Sequence, residues 1–517
     1  MHDNQTHHEN PQYRDRLARL EKWRQAGVDP SGRRLDGLIS AAAARGLHTA
    51  ETPHDGGPQA RVAGRILLLR DIGKLIFITI GDWTGKIQIG LAKQHIAAGW
   101  EQAKLLELGD IAWFSGKVGH TKTGEVTIWA DAFGIAAKAL LPPPEKFHGL
   151  ADTELCYRQR YLDLFANPES MEVFLARSQM VQHIRTFLQE RQFIEVETPM
   201  MQAVAGGAAA RPFITHHNTL DLNLFMRISP ELYLKRLLVG GMERVFEINR
   251  NFRNEGIDTR HNPEFTMMEL YQAYSDLAGM MELTESLVAE LAAKRVAQSG
   301  KTAGGEVTIP YGDRILNYAR PFARVAYSEL FARHVGADMG DRAAVLARAA
   351  SLGVENAASM DHDVLVGLLF EQHAEPALAE YDGPVFVYDY PAGLCPLTRR
   401  KAENPAIAER FELYVAGMEL ANAYTELNDP AVQEATFSAQ LAGQKAEDSM
   451  AKMDHDFITA LQTGMPPAGG LGIGIDRLVM LLVNRTSIRD VILFPLMRPQ
   501  GGHAPATEQE DTPTRMA

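Results

Sequence analysis

Arg253-Asn254-Glu255-Gly256-Ile257-Asp258-Thr259-Arg260-His261-Asn262-Pro263-Glu264-Phe265-Thr266-Met267-Met268-Glu269-Leu270-Tyr271 is the stretch on which the fold turns. If residues 265–271 form a strand, successive side chains alternate between its faces. Phe265, Met267, Glu269 and Tyr271 then share one face, and Thr266, Met268 and Leu270 face a core. A solvent-facing edge is the plain alternative, and Phe and Met suit it poorly. An aromatic, an acid and a phenol in one row suit a ligand-facing surface. Residues 244–253 lead in and 254–264 form a loop, so the whole reads as a hairpin able to clamp a ligand between its ends.

A distant stretch completes it: Gly470-Leu471-Gly472-Ile473-Gly474-Ile475-Asp476-Arg477. Alternating glycines leave one face of a strand bare, so a flat ligand or a second backbone can come close. Alone, the run reads equally well as a Gly-rich turn. Arg477 opens a helix expected over 478–483. Arg253 and Arg477 are permanently charged forks suited to phosphate and carboxylate. Preorganised cations stabilise charge that builds on an α-phosphate during attack. The two stretches together supply what is needed to hold ATP bent around its α-phosphate while a carboxylate attacks it.

This combination resembles the class II aminoacyl-tRNA synthetases, in which the two stretches are motifs 2 and 3. Residues 196–199 match motif 1, and the likeness continues to Pro499. The resemblance implies that adenine lies between Phe265 and Arg477 and that the α-phosphate lies on Arg253. It also implies that Glu255, His261 and Gly474 surround the nucleotide and that motif 1 builds a homodimer interface.

Phe411-Glu412-Leu413-Tyr414-Val415-Ala416-Gly417-Met418-Glu419 reads as a hairpin turning at Ala416-Gly417. A two-residue turn pairs Val415 with Met418 and Tyr414 with Glu419. Glu412 and Glu419 become diagonal neighbours. Two carboxylates that close repel unless a cation lies between them, and hard oxygen ligands facing phosphates suit Mg²⁺. The residues alone also fit two exposed glutamates; the family likeness implies the metal. Asn422, Tyr424 and Glu426 share a parity opposite to Glu419, so a common site requires a bulge near Ala421.

Glu269 and Glu426 are acids expected to aim at the substrate pocket. An aspartate pocket would need Lys or Arg there, because like charges are costly inside a pocket. Two carboxylates with Tyr271 suit an ammonium on a long chain. The chain is most similar to the class II lysyl-tRNA synthetases through Gly206-Gly207-Ala208, Arg211-Pro212-Phe213-Ile214-Thr215 and Pro230-Glu231-Leu232-Tyr233-Leu234-Lys235. By that likeness Glu231 and Gly207 hold the α-amino group, Glu269 and Glu426 the ε-ammonium, and Arg253 the carboxylate of L-lysine. Asn422 and Tyr424 line the same pocket. The implied function is a homodimeric lysine–tRNA ligase that makes lysyl-adenylate and pyrophosphate, then moves lysine to the 3′-terminal adenosine of tRNA(Lys). Lysine's own carboxylate attacks, so no covalent side-chain nucleophile is required, and catalysis is positioning with charge neutralisation.

The rest of the chain fits an α+β protein. Residues 1–60 read as a helical extension, its first ten residues unstructured, with a helix over 12–26 that puts Tyr13, Leu17 and Leu20 on one face. Its arginines read as a solvated face, or alternatively as an RNA contact. From 61 to 141, short strands broken at Gly73, Gly85, Gly116 and Gly124 suit an OB-fold barrel. Ile87, Ile89 and Leu91 line one side of a strand there, and Val126, Ile128 and Ala130 one side of another. The lysine family's anticodon domain stands here, which implies base stacking on Phe77 and base reading by Gln88; Phe77 read alone is a core aromatic. Gly81 replaces a more usual Gln, and Asp131-Ala132-Phe133 lacks the usual glutamate, which puts the reading of one anticodon base in question. A linker over 142–168 precedes the catalytic domain at 169–499, built on an antiparallel sheet flanked by helices. That domain opens with a helix over 169–192 and carries a helical insertion at about 341–380. Residues 500–517 have a disordered composition.

Charge is 52 basic against 65 acidic, net −13, which argues against nucleic-acid binding over the whole surface but leaves room for a local basic patch. Two cysteines, Cys156 and Cys395, make no disulfide framework. No signal-peptide pattern and no membrane-length apolar run is present, so a cytoplasmic protein without membrane contact is expected. Three other functions remain open: an aspartyl- or asparaginyl-type enzyme, an RNA-binding protein with a degenerate catalytic half, and a paralogue that lysylates something other than tRNA. Glu269 and Glu426 weigh against the first. Intact Arg253, Glu412, Glu419 and Arg477 weigh against the second, and the barrel against the third.

Overall fold

The computed structural model describes residues 10–143, 150–208, 210–298, 307–442 and 453–499. The expectations for residues 1–9, for part of the linker at 144–149 and for the tail at 500–517 lie outside these. The chain divides into two compact units, Met1–Met171 and Glu172–Ala517.

In the first unit, α1 (Pro11–Gln25) precedes five strands. These are β1 (Gln59–Asp71), β2 (Leu75–Asp82), β3 (Gly85–Ala92), β4 (Ile111–His120) and β5 (Val126–Ala137). They close into a barrel in the order β1-β2-β3-β5-β4, and closure leaves no unpaired edge. Ile76, Ile78 and Ile80 alternate inward beside Ile87, Ile89 and Leu91. Gly116 marks no break. It lies inside β4 at an irregularity of the β4–β5 ladder, where an added Cβ would stand 2.1 Å from the Trp129 carbonyl oxygen.

The inward face of α1 also differs from expectation. Asn10 is ordered and caps the helix, its side chain accepting from Gln12 N. Leu17 is exposed, while Arg16 and Trp23 are buried. The Arg16 guanidinium donates to the carbonyls of Leu108 and Ala139, each at 3.0 Å. Arg19 donates to the Lys104 carbonyl at 3.1 Å and pairs with Glu107. Arg16 is thus buried on backbone carbonyls and leaves the solvated face, whereas the Arg19 side chain remains 39% exposed.

The second unit is an eight-stranded sheet. Its strands are β6 (Ile194–Glu195), β7 (Arg244–Phe252), β8 (Glu264–Ala273), β9 (Ala323–Ala326), β10 (Val385–Pro391), β11 (Ile407–Val415), β12 (Met418–Thr425) and β13 (Ala468–Gly474). The spatial order is β9-β10-β11-β12-β13-β8-β7-β6. The central pairs are antiparallel; β6 on β7 and β9 on β10 are parallel. The helices α2 (Pro168–Glu190) and α3 (Glu231–Val239) come early in this unit, and α4 (Leu277–Gln298) follows β8. Ile184 and Phe187 of α2 and Leu287 and Val288 of α4 form one core with Met268, Leu270, Phe411, Leu413, Ala421, Ala423, Leu471 and Ile473. The residues of opposite parity therefore face away from that core. After β9, α5 (Tyr327–Val335), α6 (Arg342–Ser351), α7 (His362–Leu369) and further helical turns to Glu380 share a second core with Tyr327, Phe331, Val345 and Leu365.

In the β11–β12 hairpin, Val415 pairs with Met418 and Tyr414 with Glu419, as the two-residue turn requires. Ala416 (φ 52°) and Gly417 (φ 69°) both take the left-handed conformation that such a turn needs. Leu413 then pairs with Ala421, which leaves Leu420 as an extra residue. This is the bulge the parity of Glu419 and Asn422 demands. The slip also alters one expectation: Asn422 stands directly across from Glu412, in place of a simple Glu412–Glu419 diagonal. Helix α8 spans Ile475–Leu482, so Arg477 lies within its first turn and does not precede it. Among the described residues, no helix is long and apolar enough to cross a membrane.

Phe411 is wholly buried between the sheet and its helices. Phe411→Ala should destabilise the protein by about 3–5 kcal/mol through lost burial and an unfilled cavity, read as a lower midpoint in denaturant unfolding.

Candidate active site

Two cavities occupy the open face of the second unit's sheet. The larger, about 380 Å³, is lined by Gly207, Ser229, Glu231, Glu269, Tyr271, Arg410, Asn422 and Tyr424 among others. The smaller, about 190 Å³, is lined by Glu255, His261, Phe265, Glu419, Gly474 and Arg477 among others. Arg253, Met267, Asn422 and Gly472 line both. Every residue expected at the nucleotide thus borders the smaller cavity. Every residue expected at the amino acid borders the larger, except Glu426.

The register of the sheet explains the cavities. Met267, Glu269 and Tyr271 of β8 stand beside Gly474, Gly472 and Gly470 of β13. A Cβ on Gly470 would lie 1.9 Å from Glu426 Oε1 and 2.7 Å from the Tyr271 ring. A Cβ on Gly472 would lie 2.5 Å from Met267 Cε and 3.2 Å from Asn422 Oδ1. The glycines make room for neighbouring side chains as much as for a ligand.

In the larger cavity, Ser229 Oγ donates to the Glu269 carboxylate at 3.0 and 3.1 Å, and the Tyr271 hydroxyl lies 3.3 Å from Glu269 Oε2. Burial, reinforced by Glu231, pushes the Glu269 carboxyl up to about 7 against the pull of Ser229, Arg253 and Arg227. Burial keeps the Tyr271 phenol well above its usual range, so it stays neutral. Glu426 is 1% exposed and lies behind the cavity wall, not on it. Its carboxylate forms an ion pair with Lys235. Lys235 Nζ also donates to Glu231 Oε1 at 2.7 Å. Direct access of Glu426 to the cavity, expected from parity, is thereby corrected: Lys235 occupies it. Arg410 lies on the cavity wall, over Tyr390 and Tyr424, and pairs with Glu412.

In the smaller cavity, Phe265 and Arg477 border the same space. Arg477 donates to the Glu419 carbonyl at 2.6 Å and meets His261 Nε2 at 3.1 Å; His261 Nδ1 lies 2.8 Å from Asp258 Oδ2. The Arg253 guanidinium carbon lies 5.1 Å from the Phe265 ring centre. Asn422 Nδ2 donates to Glu419 Oε1 at 3.2 Å, a contact the Leu420 bulge permits. Glu412 does not border either cavity. Its carboxylate is taken by the hydroxyls of Tyr390 (2.8 Å) and Tyr414 (2.6 Å) and by Arg410. Among the described residues, no group of three or more His, Cys, Asp or Glu could hold a metal ion.

In the barrel, Phe77 is not a core aromatic: the alternation that buries Ile76 and Ile78 turns it outward. It meets Trp129 edge-on at 6.1 Å, and Trp129 stacks on His54 at 5.1 Å. The Gln88 amide oxygen accepts from Thr127 Oγ1 at 2.8 Å. Gly81 faces Leu67, whose Cδ1 lies 2.6 Å from where a Cβ would be, so a larger residue there would require only the Leu67 side chain to move aside.

Sequence reasoning passed over Lys235, Arg410, Ser229 and Trp129. Lys235 had a signal, four residues after Glu231 on a helix. Arg410 shares strand parity with Glu412. Ser229 and Trp129 carried none beyond their neighbours.

Two family models match the chain: tRNA synthetases class II (D, K and N) over residues 152–498, and the OB-fold nucleic acid binding domain over residues 60–135. The fold is that of a class II synthetase domain preceded by an OB-fold anticodon-binding domain. The chain is 48% identical to a lysine--tRNA ligase of Carboxydothermus hydrogenoformans, over 94% of this chain and 97% of that one. It is 48% identical to one of Pelotomaculum thermopropionicum, over 95% and 96%, and 47% identical to one of Magnetococcus marinus, over 95% and 98%. The chain belongs to the lysine--tRNA ligase family of class II tRNA synthetases.

The tight fit at Gly470 yields a test. Gly470→Ala should displace the Glu426 carboxylate and lower stability by about 1–3 kcal/mol, as overpacked cores do, read by denaturant unfolding.

Proposed function

We propose that this chain is a lysine–tRNA ligase whose two cavities take L-lysine and ATP. One observation carries the proposal: Arg253 borders both cavities at the point where they meet. A guanidinium there can hold the lysine carboxylate and the ATP α-phosphate together. The carboxylate oxygen attacks the α-phosphorus, the bond to the β-phosphate bridging oxygen breaks, and pyrophosphate leaves. Phe265 and Arg477 sandwich adenine, with Glu255, His261 and Gly474 around it. In the second step a hydroxyl of the terminal adenosine of tRNA(Lys) attacks the lysyl carbonyl, and AMP leaves.

Charge supports lysine over the other amino acids. Asp454 on the cavity wall pairs with Arg236, Arg410 with Glu412, and Arg227 with Glu247. Glu231, Glu269, Glu426 and Lys235 remain, three negative groups against one positive. Lysine brings two ammonium groups to that net charge of −2, and Arg253 balances its carboxylate. Glu231 and Gly207 take the α-amino group. Glu269, backed by Glu426, takes the ε-ammonium, and Tyr271, Asn422 and Tyr424 enclose the chain.

A divalent cation, Mg²⁺, would neutralise the phosphates. The donors fit it in type, because Mg²⁺ needs only one or two carboxylates beside phosphate and water oxygens. Glu419 would be the ligand on the cavity wall, whereas Glu412 borders neither cavity and its carboxylate is already held by Tyr390, Tyr414 and Arg410. Phe77, Gln88 and the neighbouring Trp129 form the anticodon-binding face. Exposed Ile194, Met201, Ile214, Leu220 and Leu222 lie just before and after residues 196–199, the motif 1 match, which favours a homodimer buried there. Free thiols at Cys156 and Cys395 suit a cytoplasmic enzyme.

ATP–pyrophosphate exchange with each amino acid in turn should be supported by lysine alone; exchange driven by aspartate or asparagine would overturn the assignment. Glu269→Gln should raise KM for lysine by about 30-fold or more, the scale of about 2 kcal/mol for one lost buried charge partner, with little change in KM for ATP. The raised Glu269 carboxyl has a further consequence. Lysine needs it ionised, so affinity for lysine should fall by up to about tenfold for each pH unit below about 7, measured as KM for lysine against pH. Phe77→Ala and Trp129→Ala should each weaken tRNA binding by about 1–3 kcal/mol, the scale of one base stack, and leave exchange unchanged.

A further inference from the structure

Lys235 has no exposed surface and lies on the fifth residue of α3, one helical turn after Glu231. Its Nζ bridges a carboxylate that lines the lysine cavity, Glu231, to one just behind it, Glu426. Charged groups facing it from the packed elements are Glu231 on its own helix, Glu426 just past β12, and Glu269 with the neutral Tyr271 on β8. We propose that Lys235 is a positioning residue for lysine selection: its ammonium holds the Glu231 and Glu426 carboxyl groups in place and contributes the positive charge that sets the pocket for a doubly cationic amino acid. This rests on the lysine-site reading above.

Without Lys235 the three carboxylates would face two substrate cations, leaving one buried negative charge with no partner. Such a charge is not tolerated and takes up a proton instead. The carboxyl that does so no longer holds its place around the substrate. Burial, with Glu231 and Glu269 beside it, raises the Glu426 carboxyl even with Lys235 present, and the ion pair with Lys235 is what limits that rise. Lys235 itself stays charged: burial pulls its ammonium down, but Glu231 and Glu426 hold it above the usual lysine range. Lys235 touches neither cavity wall directly. Its effect must therefore reach the substrate through the two carboxylates.

The test is steady-state ATP–pyrophosphate exchange with the full-length enzyme. Lys235→Met should raise KM for lysine by roughly tenfold or more, as expected when a buried charge loses its partner, while KM for ATP stays within about twofold. Its profile of kcat/KM for lysine should move to higher pH, because the Glu426 carboxyl ionises less readily without the ammonium. Lys235→Arg, which keeps the charge, should restore most of the lysine affinity and the original pH profile. Lys235→Met combined with Glu426→Gln removes one charge of each sign, so its loss should be smaller than the product of the two single losses. Lys235→Gln serves the same comparison if methionine is not tolerated by the fold.

The proposal is overturned if the uncharged variants leave KM for lysine unchanged, if lysine and ATP affinity fall together, or if the double variant is additive. The absence of lysine-dependent exchange in the unaltered enzyme would instead overturn the lysine reading beneath it.

Discussion

The second unit depends on accommodating carboxyl groups where water is largely excluded, and burial pushes Glu269 and Glu426 toward their neutral forms. Glu231, Glu269 and Glu426 are all buried, and each would be costly alone. The structure meets that cost in three ways: a resident ammonium on Lys235, a hydroxyl donor on Ser229, and the Arg253 guanidinium at the mouth between the cavities. On the proposed assignment of the pocket, a lysine molecule removes the remaining imbalance. Selection then follows from electrostatics more than from shape, since a neutral or acidic side chain would leave the imbalance in place.

The sheet makes this possible through two local departures from regularity. Glycines 470, 472 and 474 withdraw side chains from one strand, so that Tyr271, Glu426, Met267 and Asn422 fit beside it. The extra residue Leu420 turns Glu419 and Asn422 to the same side of β12. Without the bulge, the acid that borders the nucleotide cavity and the amide shared by both cavities would lie on opposite faces. Neither device adds much stability; each re-aims groups that a regular strand would separate.

Much of this was legible in the sequence. Period-two alternation in 265–271 separates core from site, and hairpin parity with a common site for Glu419 and Asn422 requires a bulge near Ala421, one residue from where it falls at Leu420. The OB barrel follows from alternating strands such as Ile87, Ile89 and Leu91. What was not legible concerns partners distant in sequence. The ion pair of Lys235 with Glu426 joins residues on different elements, and no local spacing encodes it. Arg16 was misplaced because periodicity counts apolar residues, whereas an arginine can be buried when backbone carbonyls receive its donors. Phe77 was misread alone because the in–out phase of its strand is fixed by Ile76 and Ile78, not by its own character. The family likeness implies Glu412 as a metal ligand beside Glu419, yet three side chains already hold its carboxylate.

Calorimetric titration of the enzyme with L-lysine and with L-norleucine tests the electrostatic account most directly, because norleucine has the same backbone and chain but no terminal ammonium. Lysine should bind at least about 30-fold more tightly, the equivalent of about 2 kcal/mol for one buried charge contact. Comparable affinity for the two would contradict the account, since a cavity that cannot tell them apart is not reading charge.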